Sequence, residues 1–293
     1  MKVARSPREL GPAPRAVAIG TFDGVHLGHR RVLGAAIDAG GTPTVVTFDP
    51  HPRVTLGNRV EMLTTVERRL ELLEEAGVAE ALVVEFTQDV ARLSPEEFVE
   101  TVLRPIGTET VVAGKGFRFG HQRAGDLALL ERLGITVEAV PALNGVSSSE
   151  IRRLLREGDV VGAAALLGRP AELEGIVVTG DARGGTLGFP TANLGVPSDL
   201  LVPAYGIYAG AAADHRAAIS IGTNPHYGGE ERRIEAFLLD FEGDLYGRRL
   251  TVELWERLRD ERAFESEQDL IAQIARDVEE TRAATRPASS LLP

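Results

Sequence analysis

Hydrophobic and polar positions follow one rhythm in the first half of the chain and another in the second. In the first half, short apolar runs of β type stand at 16–20, 43–48, 80–86, 109–114 and 135–140. Helical patterns, with apolar residues three and four apart, fill the gaps at 28–38, 64–77, 94–106 and 125–134, and two more follow at 149–156 and 159–167. Ser94 to Glu97 carries the signals of a helix start: a capping serine, proline at the first position and acids in the first turn. Strands alternating with helices predict a parallel sheet with helices on both faces.

From about Glu172 the runs become short and strand-like: "EGIVVTG", "GIYAGAAA", "RAAISIG", "RIEAFLLDF" and "RLTVELWERL". Gly-rich turns separate them, which predicts an antiparallel sandwich or small barrel. An amphipathic helix over 266–282 closes this half, and the tail from Ala283 is expected to fray. The change of rhythm falls near 168–175, so the expected domains are 1–168 and 169–293. A length of 293 residues suits two domains.

Composition narrows the function. A net charge of −11 argues against a nucleic-acid partner, which would need a basic footprint. The absence of cysteine excludes disulfides, thiolate metal sites and a cysteine nucleophile. The run at 16–20 is too short for a signal-peptide core, and nothing approaches the roughly 18 apolar residues of a membrane span. The expectation is a cytoplasmic protein without a membrane partner. Lys2 and Lys115 are the only lysines. Any phosphate site must therefore lean on arginine, backbone N–H groups and helix N-termini.

Two stretches carry candidate chemistry. "GTFDGVHLGH" (20–29) follows a strand and opens a helix, the place where open parallel sheets bind ligands. His26 and His29 stand beside a helix N-terminus, whose N–H groups and dipole favour phosphate. Two imidazoles there can donate to phosphate oxygens as charge builds in a transition state. A histidine pair that only packs or caps, or that holds a metal, remains open at this point, although no third ligand lies at a fitting offset. In the second half, Pro190 fixes the backbone of "FPTAN", and Thr191 and Asn193 offer two oxygens on one side of an extended chain. That pair suits a hard cation such as Mg²⁺. Alternation in "RIEAFLLDF" puts Glu235, Phe237 and Leu239 on one face, and a carboxylate among apolar neighbours is a candidate general base.

His-x-Gly-His after a first strand, paired with "VSSSEIRRLL" at 146–155, resembles the nucleotidyltransferase superfamily. Taken end to end, the chain resembles the bacterial bifunctional riboflavin kinase/FMN adenylyltransferase family. "GTFDGVHLGH", "VVTFDPHPR", "GFRFGHQRAGD" and "SSSEIRRLLREGDV" carry the likeness in the first half. "GDARGGTLGFPTANL", "IGTNP", "EAFLLDFEGDLYG" and "LRDERAFES" carry it in the second. The resemblance implies a Rossmann-like α/β domain with a parallel sheet, then a small antiparallel β-barrel closed by a helix. It implies phosphorylation of riboflavin to FMN by ATP in the barrel, and adenylylation of FMN to FAD with release of pyrophosphate in the first domain. His26, His29 and Glu235 would be catalytic. Gly20, Phe22, Gly28, Ser148, Ser149, Arg152, Gly180 and Gly188 would bind ATP phosphates. Asp49, Phe117, Arg118, Phe119 and Arg259 would bind flavin, and Thr191 and Asn193 would hold Mg²⁺. The partners implied are riboflavin, FMN and ATP, and the chain is expected to be a monomer or weak homo-oligomer.

The chain departs from the family pattern at Gly116, Thr179, Gly185, His226 and Phe237. None removes a proposed catalytic group, but they leave open a paralogue acting on a modified flavin. A nucleotidyltransferase for another phosphate acceptor, with an accessory barrel, is the other alternative.

Overall fold

The computed structural model describes residues 1–180, 189–223 and 232–289. It divides into two compact units, the first being Met1–Val146.

The first unit is built on six strands: β1 (Lys2–Ala4), β2 (Arg15–Ile19), β3 (Thr42–Asp49), β4 (Glu80–Glu85), β5 (Thr108–Gly114) and β6 (Thr136–Val140). Their order is β1-β4-β3-β2-β5-β6 and every neighbouring pair is parallel. β2 is buried at each of its five positions, as a continuous apolar run in a sheet covered on both faces must be. One face packs on α2 (Leu27–Asp38) and α4 (Val66–Glu75) through Leu33, Ala36, Leu72 and Leu73. The other packs on Phe98, Val99, Leu103, Ile106 and Leu130. Of these, Leu130 lies on α7 (Leu127–Arg132). Short helices α1 (Pro7–Leu10), α3 (Pro52–Thr55), α5 (Gln88–Arg92) and α6 (Pro95–Phe98) complete the unit.

The five strands expected in this half form within a residue or two of their predicted places. β1 was not expected; it is a short edge strand on β4. The single helix expected over 94–106 is three pieces: α6, a π-turn over Val99–Leu103 and a 3₁₀ turn over Arg104–Ile106. Pro105 explains the break, because it lacks the N–H that would continue the α-helical ladder. The run ends at Gly107, with φ 71 and only 2.4 Å from where a Cβ would sit to the Ala13 carbonyl oxygen, so no other residue fits.

In the strand order the chain moves from β2 to β3 and β4 on one side, and places β5 and β6 on the other. The direction reverses between β2 and β5. The crevice of such a sheet opens there, at the carboxyl ends of the strands.

The second unit holds a closed barrel of β7 (Ala171–Val178), β8 (Ala192–Gly195), β9 (Gly206–Ala212), β10 (His215–Thr223), β11 (Arg232–Leu238) and β12 (Arg249–Arg259), in the order β10-β11-β8-β7-β12-β9. All its pairings are antiparallel. Leu173, Val177, Ile219, Ile221, Ile234, Ala236, Val252 and Leu254 are buried. A final helix, α10 (Glu267–Ala283), packs on β9 and β10. The boundary differs from the one expected at 168/169. Helices α8 (Ser148–Glu157) and α9 (Val160–Leu167) group with the barrel, because α9 packs on β7 and β12 and Gly158 lies against the Arg257 side chain.

At the amino edge of the first sheet, Arg15 is buried and fully engaged. Its Nε donates to Glu80 at 2.6 Å, its Nη1 to the carbonyls of Gly11, at 2.7 Å, and Ile106, and its Nη2 to that of Leu10 at 3.4 Å. Removing one partner of such a group leaves the others desolvated. Arg15→Met is expected to destabilise the first unit by about 3–5 kcal/mol. Hydrogen exchange of the β2 and β3 amides, measured in the intact chain, checks this; unchanged protection would refute it.

Candidate active sites

The loop after β2 is built to deliver histidines. Phe22 (φ 49), Gly24 (φ 81) and Val25 (φ 39) are all left-handed. For non-glycine residues that backbone costs about 1–3 kcal/mol each and persists only where its surroundings over-determine it. Here buried Asp23 does so: its Oδ1 accepts from the N–H groups of Leu63, at 2.9 Å, and Thr64, at 3.2 Å. The Gly24 N–H donates to Thr64 Oγ1 at 3.3 Å. The chain then enters α2 with His26 as its N-cap, Nδ1 accepting from the His29 N–H at 3.2 Å. An accepting Nδ1 makes Nε2 the proton-bearing, donating nitrogen of a neutral ring.

His26 and His29 stack with ring centroids 3.6 Å apart and planes 13° apart. His29 Nδ1 is buried with no hydrogen-bond partner among the described residues. Burial above all, then the neighbouring His26 and the Arg69 charge, hold the His29 pKa well below the ordinary histidine value. Both rings therefore belong to the same electropositive, dehydrated corner at the sheet's switch point.

The structure redistributes the other expected phosphate ligands. The Phe22 side chain is 2 % exposed and sits in the core, its ring edge-on to His29 at 5.2 Å. It walls the imidazole and has no surface to offer a nucleotide. Gly20 leaves room for the Phe22 ring, and Gly28 leaves room for the His26 ring, which a Cβ would approach to 3.2 Å. Ser147 rather than Ser148 caps α8, accepting from the Glu150 N–H at 3.2 Å. Ser149 is exposed, Ser148 half-buried and Arg152 buried, all in the first turns of α8 and hence in the second unit.

Asp49 ends β3 and is partly exposed, with Arg5 at 3.9 Å. Phe117 stacks on Phe119 at 5.6 Å, and Phe119 is itself buried in the core beside Phe98. Arg118 pairs with Asp126 at 3.2 Å. Of the expected flavin ligands here, Phe119 is therefore a core residue, whereas Phe117 and Arg118 stay partly exposed.

The barrel carries a cavity of about 330 Å³. Thr191, Glu235, Phe237 and Arg259 line it, together with Phe189, Ser220, Arg233, Arg262, Phe264 and Asp277. Glu235 faces it from the outer side of β11. The buried face of β11 is Ile234, Ala236 and Leu238, so Glu235 and Phe237 point away from the barrel interior. Leu239 does not continue their face, because the strand ends at Leu238 and Leu239 is buried. In the ladder Glu235 stands between Ser220 on β10 and Asn193 on β8. Arg233 approaches its Oε1 at 3.4 Å. Gly180 lies against the Asn193 amide, where a Cβ would come within 2.5 Å of Oδ1. Gly188, Gly185 and His226 lie outside the described residues.

Arg259 reaches the cavity, but its guanidinium is held by Asp277 through two bonds of 2.9 and 2.7 Å. Asp277 was missed, although the sequence carried a signal. It follows Leu270 and Ile274 at helical spacing, so an acid occupies the apolar stripe of α10, and all three line the cavity. Arg69 was missed for the same kind of reason. It precedes Leu72 and Leu73 by three and four residues and shares their buried face of α4.

Comparison with known proteins bears on both units. The FAD synthetase family matches residues 10–152, taking in the serine motif, and the riboflavin kinase family matches 167–285. A bifunctional riboflavin kinase/FMN adenylyltransferase of Listeria monocytogenes is 37% identical over 288 residues, 92% of each chain. That of Escherichia coli K12 is 35% identical over 300 residues, 94% of this chain and 96% of the relative. A crystal structure described as a macrolide-efflux protein from Streptococcus pneumoniae has a TM-score of 0.86 and 31% identity, covering 96% of this chain and 98% of that one. No helix among the described residues here is long and apolar enough to cross a membrane. With both halves matched and relatives of the same span carrying both activities, the chain belongs to the bifunctional riboflavin kinase/FMN adenylyltransferase family, which phosphorylates riboflavin to FMN and joins FMN to the adenylyl group of ATP to give FAD.

Proposed function

We propose that His26 and His29 carry adenylyl transfer and that Glu235 carries the phosphorylation of riboflavin. The observation that supports this most is the pair of imidazoles, ring on ring, at the N-terminus of α2 and the switch point of the sheet. A phosphate oxygen of FMN attacks the α-phosphorus of ATP, the bond to the β-phosphate oxygen breaks, and pyrophosphate leaves. No proton need move. The protein contributes position and donors to the oxygens that gain charge. Neutral imidazole N–H groups and the helix N-terminus are such donors. Gly20 and Gly28 act by letting the rings sit where they do. Ser148, Ser149 and Arg152 offer hydroxyl, N–H and guanidinium donors suited to phosphate. Asp49, Phe117 and Arg118 are the flavin-contacting candidates that remain at the carboxyl edge.

In the barrel, the ribityl 5′-hydroxyl oxygen attacks the γ-phosphorus of ATP, its proton passes to the Glu235 carboxylate, and ADP leaves. Phe189, Phe237 and Phe264 give the cavity the apolar walls that a flavin ring needs. Thr191 and Asn193 would hold Mg²⁺, which neutralises phosphate charge when bound. Their hydroxyl and amide oxygens fit that ion. Such an ion takes few protein ligands and keeps phosphate and water oxygens. Riboflavin, FMN and ATP are the partners of this reading. We read the chain as a cytoplasmic enzyme, working as a monomer or weak oligomer.

Substitution separates the two assignments. His29→Ala is expected to lower conversion of FMN to FAD about 10²-fold while riboflavin is still phosphorylated. Glu235→Gln is expected to do the reverse. A chromatographic time course with riboflavin, ATP and Mg²⁺ reads both; if either variant loses both activities while folded, the division is wrong. The depressed His29 pKa also has a sign. Below pH about 6.5 the unfolded chain binds a proton at this residue that the folded chain refuses, so stability is lost as pH falls from there. Unfolding of the first unit followed between pH 7 and 5 is expected to weaken more steeply in the natural chain than in His29→Gln.

A further inference from the structure

Arg69 is 2 % exposed, on the face of α4 that also buries Leu72 and Leu73. Leucine would be cheaper there, because burying a guanidinium costs several kcal/mol unless it is paired and bonded. The pairing is incomplete. One terminal nitrogen donates to the Thr21 carbonyl at 3.1 Å, the Thr47 hydroxyl at 3.3 Å and the Phe48 carbonyl at 3.2 Å. Its Nε is buried with no partner among the described residues. Those three acceptors have a common location. Thr21 belongs to the loop that carries the histidines, and Thr47 and Phe48 end β3, next to β2 in the sheet. One cation thus ties the carboxyl ends of two strands at the switch point.

We propose that Arg69 is a positioning residue for adenylyl transfer, its guanidinium pinning the histidine loop to the end of β3 and setting a fixed positive charge behind the imidazole pair. This rests on the reading of His26 and His29 given above. The charges around it are few. His26 and Arg69 bear on His29; Asp23 from the loop, Asp49 from β3 and Glu67 from α4 bear on Arg69. Asp23, whose Oδ1 accepts from Leu63 and Thr64, and after it Asp49 and Glu67 act on the guanidinium through space and help it keep its charge behind the imidazoles. A nearby cation makes a second positive charge on His29 unfavourable, so the ring meets the triphosphate as a neutral donor.

Three variants in the full-length chain test this: Arg69→Met, Arg69→Lys and His29→Ala. The readouts are kcat and KM for FMN adenylylation across pH, riboflavin phosphorylation, and the NMR titration of the His29 ring. Arg69→Met is expected to lower kcat about 10- to 100-fold, the effect of a small misplacement of reacting groups. KM for ATP should change less than threefold, and riboflavin phosphorylation should be unchanged. The His29 titration midpoint and the acid limb of kcat should both move to higher pH. Arg69→Lys keeps the charge and should leave the midpoint nearly in place while restoring part of the rate. A folded Arg69→Met chain with normal kcat and an unmoved His29 midpoint overturns the proposal, as does a rate loss that only tracks the folded fraction. If Arg69→Met does not fold, Arg69→Lys decides: normal kcat with a shifted midpoint overturns it. If His29→Ala keeps full FAD formation, the underlying reading has failed instead.

Discussion

Two imidazoles stacked at 3.6 Å cannot both be imidazolium cations without heavy cost. Like charges about 4 Å apart repel by about 4 kcal/mol even at an effective dielectric of 20. The positive end of α2 and the Arg69 guanidinium act in the same direction. The His26 Nδ1 is in addition engaged by the His29 N–H, which fixes the tautomer of the first ring. On the proposed reading, the corner attracts anions through one guanidinium and a helix terminus, and presents ring N–H groups from imidazoles that stay neutral. Much of the first unit can be read as what it takes to hold that corner still. The reversal of strand order opens the space, Asp23 holds the left-handed loop, and glycines at 20 and 28 clear room for the rings.

On the proposed reading the barrel solves a different problem, that of moving a proton beside a flavin. Its carboxylate sits on the outer face of β11, in a cavity closed by the segment after β12 and by α10. Had Glu235 faced inward it would have met Ile219, Ile221 and Leu254 and gained nothing but desolvation. Facing outward, it has Ser220 and Asn193 as ladder neighbours and Arg233 within 3.4 Å. The cavity wall opposite is held by Asp277, whose grip on Arg259 fixes the end of β12 against α10.

The sequence was most informative where periodicity and local chemistry agree. The alternation of strand and helix, the capped start at Ser94 and the histidines at a helix entry were all legible, since each depends on neighbours in the chain. Strand order was not, because the placement of β5 beside β2 is a long-range choice that no local pattern encodes. Which side of the barrel Glu235 takes was not legible for the same reason. Alternation says which residues share a side, but only closure of the barrel says which side is inside. Phe22 looked like a ligand because it stood in a motif; its burial follows from the left-handed turn that aims the ring into the core. Arg69 and Asp277 were legible in principle, as charges in apolar stripes, but such a stripe reads as ordinary surface until its helix has been given an inward face.

The two buried arginines of the first sheet show how stability and chemistry are divided within one unit. Arg15, at the amino edge, has a carboxylate and several carbonyls and rests in a satisfied site. Arg69, at the carboxyl edge, donates to three neutral oxygens and has an idle Nε, with Asp23, Asp49 and Glu67 acting on it through space. Phe22 shows the same asymmetry in the backbone. Glycine would relieve its left-handed strain, but only a large ring can wall His29. A sheet that had only to fold would satisfy both edges alike. On the proposed reading, the unsatisfied His29 Nδ1 and Arg69 Nε lie at the edge where the strands release the histidine loop because that edge is to receive an anion.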